Sequence, residues 1–272
     1  MLSIGPVPMT LVVIALALAF AAGTSYMLTR RTTGDAPLPL MSHIWDMLLV
    51  GALIARLAFI VKWWPQYAAD PWAMVRIHDG GFMAAPGILA GLAFGFWRTR
   101  NAVQVRKPLA MTALAGVAAW VALSVGLAQF QRQTLSIPQT ELFTLEGSRT
   151  RLSDHVGTPM VVNLWASWCP PCRREMPVLA AAQAQRDDVL FAFINQGESA
   201  AVITEYLQRD RLALENVLLD LQGEVGQALQ SQGLPATLFF NAEGRLVETH
   251  FGPLSGASLA AKMTGLSPGA LK

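Results

Sequence analysis

Across 272 residues the chain is 53% hydrophobic and only 14% charged, with a mean hydropathy of +0.40, which excludes an ordinary soluble protein and calls for helices that cross a membrane. Twenty Lys and Arg against eighteen Asp and Glu leave a net charge of +2, and the basic residues form no run on a polar domain, so no nucleic-acid partner is expected. The four histidines (His43, His78, His155, His250) show no ligand-like spacing near the two cysteines, so neither a metal nor a cofactor beyond the cysteine pair is expected.

The apolar residues gather in the first half. Candidate spans run from Val7 to Leu28, Ile44 to Trp64, Phe82 to Trp97 and Leu109 to Ala128, each near the length a helix needs to cross a bilayer; the third is the shortest and contains Gly and Pro. Tyr26, Trp45, Trp63, Trp64, Tyr67 and Trp97 stand at their ends, as an interfacial aromatic belt requires. Ala19-Phe20-Ala21 has the form of a cleavage site, yet no Lys or Arg precedes the first apolar run and Arg30 and Arg31 follow it. That order suits a retained span. The next basic cluster, Arg98, Arg100, Arg106 and Lys107, marks a second cytoplasmic loop, so four crossings leave both termini outside.

Arg56 lies near the middle of the second span, where an ionised side chain needs a partner. The choices are a structural pair with Asp46 or Asp79, or contact with a lipid head group or a partner protein. The spans contain no cysteine, so the membrane half cannot relay electrons by thiol exchange.

After Gln129 the composition turns polar, which divides the chain into a membrane domain (1–128), a linker (129–135) and an α/β domain (136–272). Strands are expected at Glu141–Leu145, Met160–Trp165, Val189–Asn195, Val217–Asp220, Ala236–Asn241 and Arg245–His250, the last two joined in a hairpin by Asn241-Ala-Glu-Gly244. Helices are expected at Pro170–Gln185, Ser199–Arg209, Glu224–Gln230 and Ser255–Met263. Strands separated by helices imply a central sheet covered on both faces.

Cys169 and Cys172 are spaced C-x-x-C directly after an apolar strand. A helix beginning near Pro170 puts the Cys169 sulfur at a helix N-terminus, where free N–H groups and the dipole favour a thiolate. Cys172, one turn in, is placed to resolve a mixed disulfide on Cys169. Pro170 and Pro171 are tolerated because first-turn positions have no N–H partner to lose. As a purely structural link the pair would contribute little, since a loop this short hardly constrains the unfolded chain.

The run Val162-Asn-Leu-Trp-Ala-Ser-Trp-Cys-Pro-Pro-Cys-Arg-Arg-Glu-Met-Pro177, with Gly233-Leu-Pro-Ala-Thr-Leu-Phe-Phe240, resembles the thioredoxin fold and, within it, the extracytoplasmic TlpA/ResA-type disulfide reductases, a group that includes the thioredoxins of cytochrome c maturation. The resemblance covers about residues 136–266 and implies that Cys169 is the nucleophile and Cys172 the resolving thiol. It further implies that Leu234-Pro235 is a cis bond packed against them and that Glu175 tunes their pKa values. Trp168, Pro170, Pro171 and Leu234 are then the expected substrate contacts, and Trp165 and Trp168 are expected to pack around the dithiol. Cytoplasmic thioredoxins carry a buried Asp six residues before the first Cys; here the position is Asn163, which cannot take a proton, so the proton role passes to Glu175. Arg173 and Arg174 are expected in solvent, their charge favouring a nearby thiolate.

The segments Gly51-Ala-Leu-Ile-Ala-Arg56, Ala69-Asp-Pro-Trp72, Ile77-His-Asp-Gly-Gly-Phe82 and Pro86-Gly-Ile-Leu-Ala-Gly91 are similar to part of prolipoprotein diacylglyceryl transferase, over residues 40–100. That family's histidine next to Gly-Gly is missing from Gly80-Gly-Phe-Met-Ala-Ala-Pro-Gly87, so transferase activity is not expected. The reading is an α-helical membrane domain of about four spans followed by a thioredoxin-like mixed sheet with helices on both faces. The function that the resemblance implies is that of a membrane-anchored periplasmic thiol–disulfide oxidoreductase, mainly a reductase. Its expected partners are periplasmic proteins with disulfides, membrane lipids, and a membrane thiol transporter of the DsbD/CcdA kind as electron donor. A thiol oxidase or isomerase, or a lipid- or partner-binding membrane module with a thioredoxin redox sensor, are the alternatives.

Overall fold

A computed structural model describes residues 40–76, 79–134, 137–229, 231 and 233–266, with scattered positions among residues 3–27. The chain forms two compact units. One contains Ser3–Pro65 and Gly81–Gln129; the other contains Gln66–Gly80 together with Phe130–Lys272.

The first unit is helical: α1 (Leu40–Lys62), then, after the short α2 (Trp64–Ala69) that leads into the second unit, α3 (Ala84–Arg98) and α4 (Val103–Thr134). Among the described residues two stretches are long and apolar enough to cross a membrane, the 23 residues of α1 and the 24 residues Val103–Gly126 of α4. Of the four expected spans, the third falls short: α3 has 15 residues, below the ~20 a bilayer core requires. Its start is set by the extended backbone of Met83 and its end by Thr99, whose Oγ1 donates to the Gly95 carbonyl at 2.8 Å. Of the first, Val7–Leu28, Val7–Pro8 form a two-residue strand paired with Ser3–Ile4 and residues 16, 19–24, 26 and 27 are helical, while the other positions lie outside the described residues. α4 also runs on through residues 129–134 of the stretch read as a linker, because Gln and Arg are good helix formers and no Gly or Pro breaks the pattern there.

α1 and α3 meet through glycine. A Cβ on Gly51 would lie 2.9 Å from the Gly87 carbonyl oxygen, and one on Gly87 would lie 2.7 Å from that of Gly51, so only glycine permits this approach of backbones. Large apolar side chains face away from the unit along α1 (Leu49, Leu53, Leu57, Val61), α3 (Leu89, Phe96) and α4 (Met111, Leu114, Val121, Val125). Arg56 is buried, its Nη1 donating to the Gly81 carbonyl at 2.9 Å and its guanidinium 5.6 Å from the centre of the Phe82 ring. Asp46 lies 4.0 Å from Arg98, and Asp79 accepts from Tyr67 and Ser255.

The second unit is a mixed sheet of seven strands: β1 (Leu142–Thr144), β2 (Arg149–Thr150), β3 (Met160–Trp165), β4 (Leu190–Gln196), β5 (Val217–Asp220), β6 (Ala236–Phe240) and β7 (Leu246–Phe251). Their spatial order is β2-β1-β5-β4-β3-β6-β7. β3, β4 and β5 run parallel, while β6 pairs antiparallel with β3 and with β7. Every residue of β3 is buried, as suits a central strand covered on both faces. One apolar layer holds Val161, Trp165, Phe191, Phe193 and Phe239; the other holds Met160, Val162, Leu164, Ile194 and Phe240. The helices are α5 (Pro170–Gln183), α6 (Ala200–Arg209), α7 (Glu224–Ala228) and α8 (Gly256–Met263).

The expected strands are present with ends moved by a residue or two. The first shrinks to Leu142–Thr144, and β2 was not expected, because two residues carry too little pattern to be read. The β6–β7 turn closes as the sequence implies: the Arg245 amide donates to Asn241 Oδ1 at 2.8 Å, and Gly244 takes φ +74°, the left-handed conformation glycine adopts at low cost.

Candidate active site

β3 ends at Trp165, and α5 starts at Pro170 with Cys169 as its N-cap. The two cysteines form a disulfide with a Cα–Cα distance of 5.3 Å, and the Cys172 amide donates to Cys169 Sγ at 3.3 Å. The sulfur therefore receives an N–H of the helix's first turn, the interaction that stabilises a thiolate once the bond is reduced. Both cysteines are buried in the layer that contains Trp165 and Met176.

Glu175 is one turn further along α5 and 1% exposed. Its Oε1 accepts from Asn163 Nδ2 at 2.8 Å, and its Oε2 accepts from the Leu254 amide at 2.9 Å. Asn163 Nδ2 also donates to Thr237 Oγ1 on β6 at 3.0 Å, so β3, β6, α5 and the loop before α8 converge on one carboxyl. Burial raises that carboxyl to about 7, against the Leu254 amide and Asn163, which favour its charged form. A group titrating there can accept or release a proton near neutral pH.

The other residues singled out by sequence sort into two sets. Leu234–Pro235 is a cis peptide, with Leu234 packed on the layer that holds the cysteines and Pro235 buried. Trp165 is in that layer, its ring 5.4 Å from Tyr206. Trp168 was expected to pack around the dithiol; it is instead 68% exposed, because it sits past the end of β3 where the chain leaves the sheet. Pro170 is exposed beside it and Pro171 half-buried. Arg173 is exposed, as expected, and lies 3.5 Å from Asp210 and 5.8 Å from the Tyr206 ring.

One residue escaped the sequence reading. Glu198, in the turn after β4, accepts from the Ser167 amide at 2.7 Å, from Ser167 Oγ at 2.5 Å and from Asn195 Nδ2 at 2.7 Å. It therefore anchors the loop that carries Trp168 and Cys169. The Asn195-x-x-Glu198 spacing signals a turn; its partner 31 positions earlier is not visible in it. Among the described residues no cluster of three His, Cys, Asp or Glu is placed to hold a metal.

Comparison with known proteins points to the same half of the chain. Residues 133–263 match the Redoxin family. The chain is 30% identical over 148 residues to the thiol:disulfide interchange protein DsbE of Pseudomonas fluorescens biotype C, covering 53% of this chain and 82% of that protein. It is 28% identical over 134 residues to the thiol-disulfide oxidoreductase ResA of Bacillus subtilis, covering 48% and 74%, and 26% identical over 152 residues to the sporulation thiol-disulfide oxidoreductase A of the same organism, covering 54% and 89%.

Proposed function

The chain belongs to the redoxin family, with thiol–disulfide oxidoreductases of the ResA and DsbE type, and from that premise we propose that it is a membrane-anchored reductase of protein disulfides in the bacterial periplasm. The observation that carries the reading is the buried Glu175, held by Asn163 and Leu254 one turn beyond a disulfide that caps its helix.

In the proposed cycle the reduced enzyme presents Cys169 as a thiolate. Its sulfur attacks one sulfur of a substrate disulfide, forming the mixed disulfide and releasing the other substrate sulfur as a thiolate that takes a proton. Glu175 accepts the Cys172 proton, the Cys172 thiolate attacks Cys169 Sγ, and the second substrate thiol leaves. Two electrons have passed from the dithiol to the substrate, and Cys169–Cys172 is again a disulfide. Electrons return from a membrane thiol transporter of the DsbD/CcdA kind. Trp168 and Pro170, exposed beside the disulfide, and Leu234 and Pro171 form the surface on which substrate lies. Asn163 serves either form of the acid: its NH₂ faces the carboxylate, and its Oδ1, without a partner among the described residues, can meet the protonated carboxyl after the amide turns over.

Membrane anchoring is supported by the large apolar side chains that α1 and α4 leave exposed along two helices long enough to cross a bilayer. Residues 66–80 connect α1 to α3 and pack in the same unit as the sheet, so this segment and the redox site are read on one side of the membrane, and the periplasm is the side proposed because a disulfide persists there. Within the segments that resemble diacylglyceryl transferases, Gly51 and Gly87 are required by the close packing of α1 on α3.

The test is the reduction potential of the Cys169–Cys172 couple with insulin reduction by the full chain: a potential in the thioredoxin range and activity abolished in Cys169→Ser support the proposal, whereas a strongly oxidising potential reverses its direction. A second reading, a lipid-binding module with a redox-sensing domain, is favoured by a cavity of about 370 Å³ in the helical unit, lined by Gly51, Gly87, Thr112 and Trp120. Thr112 Oγ1 is buried there without a hydrogen-bond partner among the described residues. Co-purification of a stoichiometric lipid that Thr112→Val or Trp120→Ala removes would favour that reading.

A further inference from the structure

The segment that joins α1 to α3 carries side chains as deeply buried as those of the sheet. Tyr67, in α2, is 0% exposed and Asp79 is 3% exposed. Tyr67 Oη donates to Asp79 Oδ2 at 3.0 Å, and Ser255 Oγ donates to the same oxygen at 2.9 Å. Ser255 is the N-cap of α8, its Oγ accepting from the Ser258 amide at 3.2 Å. The residue before it, Leu254, gives its amide to Glu175 Oε2 at 2.9 Å. A path of buried polar groups therefore runs from the inter-helix segment to the acid beside the dithiol, and its two middle members are neighbours in the chain.

A segment that merely connects two helices keeps its polar groups in water. Burying a carboxyl is costly unless hydrogen bonds replace the lost solvent, and Asp79 receives one hydroxyl from its own segment and one from the cap of α8. We infer that Tyr67 and Asp79 are positioning residues of the redox site: they fix the α8 cap and, through it, hold the Leu254 amide against the Glu175 carboxyl. The inference rests on the reading of Glu175 as the group that manages the Cys172 proton.

The sign of the effect follows from the bond. An N–H donor stabilises the charged carboxylate, so a slackened cap weakens that donor and moves the titration of Glu175 upward. Facing Glu175 are the amide of Leu254 and, from β3, Asn163, both uncharged. Among the described residues, His250 of β7 lies near Asp79 and Lys262 lies near His250; burial, with Lys262 close by, holds His250 down to about 4, so it is neutral across the range that matters.

The test measures the rate of disulfide reduction by the full chain in detergent from about pH 5 to about pH 9, with insulin as substrate. Asp79→Ala and Tyr67→Phe are expected to move the midpoint of the acid limb upward by roughly half a unit to one unit. Asp79→Asn, which keeps an acceptor oxygen for both hydroxyls, restores the parent midpoint. Should Asp79→Ala fail to fold, Tyr67→Phe carries the comparison, since it removes one oxygen and keeps the ring. An unchanged midpoint in the folded variants, beside a parent whose activity titrates near 7, overturns the inference and leaves the proposed function standing. A parent that reduces no disulfide, or whose rate is indifferent to Glu175→Gln, overturns the reading of the acid itself and the inference with it.

Discussion

Asn163 Nδ2 lies 2.8 Å from Glu175 Oε1, so the residue found six positions before the first cysteine and the acid three positions after the second meet at one point in the core. The acid stands on α5, and Asn163 of β3 supplies the amide that meets it. Both ends of this pair are buried, so the carboxyl is sensitive to any charge placed at position 163.

Replacing Asn163 by Asp puts a second carboxyl against Glu175. Two carboxyls at hydrogen-bond distance cannot both ionise at low cost, so they titrate as a coupled pair, with the second step well above the usual carboxylate range. The pH profile of disulfide reduction by Asn163→Asp should show two acid-limb steps where the parent shows one near 7. A single unshifted step would argue against a shared site.

Cys172→Ser should trap substrate. Without the resolving thiol the mixed disulfide on Cys169 persists, appearing as a reductant-sensitive adduct on gels, while turnover falls to background. Cys169→Ser should form no adduct, because Cys172 is buried behind the nucleophile. Adducts on Cys169→Ser would reverse the assignment of roles.

Stability should show two opposing proton linkages. Burial raises Glu175 to about 7 from an ordinary 4.5, so the unfolded chain ionises first and stability falls as pH rises between those values. His250 is lowered to about 4 from 6.5 by burial and by Lys262, so stability falls as pH drops below 6.5. Each shift corresponds to about 3 kcal/mol across its window, and the two nearly cancel between about pH 4.5 and pH 6.5. Glu175→Gln should therefore leave stability rising steeply with pH in that range and raise it at pH 8 by up to about 3 kcal/mol. Chemical denaturation at several pH values checks both slopes.

Gly51→Val or Gly87→Val should separate α1 from α3. Each Cβ would stand within 3.0 Å of a backbone oxygen that cannot move independently, and overpacking of this kind costs at least about 1–3 kcal/mol. Thermal unfolding in detergent should drop accordingly. Insulin reduction at a temperature where the variant is folded should persist, since neither glycine belongs to the unit that holds the cysteines.

What the sequence determined alone was everything carried by local pattern. A six-residue apolar run made β3, two prolines after Cys169 placed the start of α5, Asn241 and Gly244 closed the β6–β7 turn, and the C-x-x-C spacing put two sulfurs within one helical turn. These rest on backbone periodicity and first-turn geometry, which act between residues a few positions apart. The tertiary structure alone decided what surrounds them. It brought Leu254, 79 positions from Glu175, onto that carboxyl, Glu198 onto Ser167, and Asp79 onto Ser255 across 176 positions, and it left Trp168 in solvent. A buried polar atom must find a donor or acceptor wherever packing delivers one, and no periodicity in the chain records which distant residue that will be.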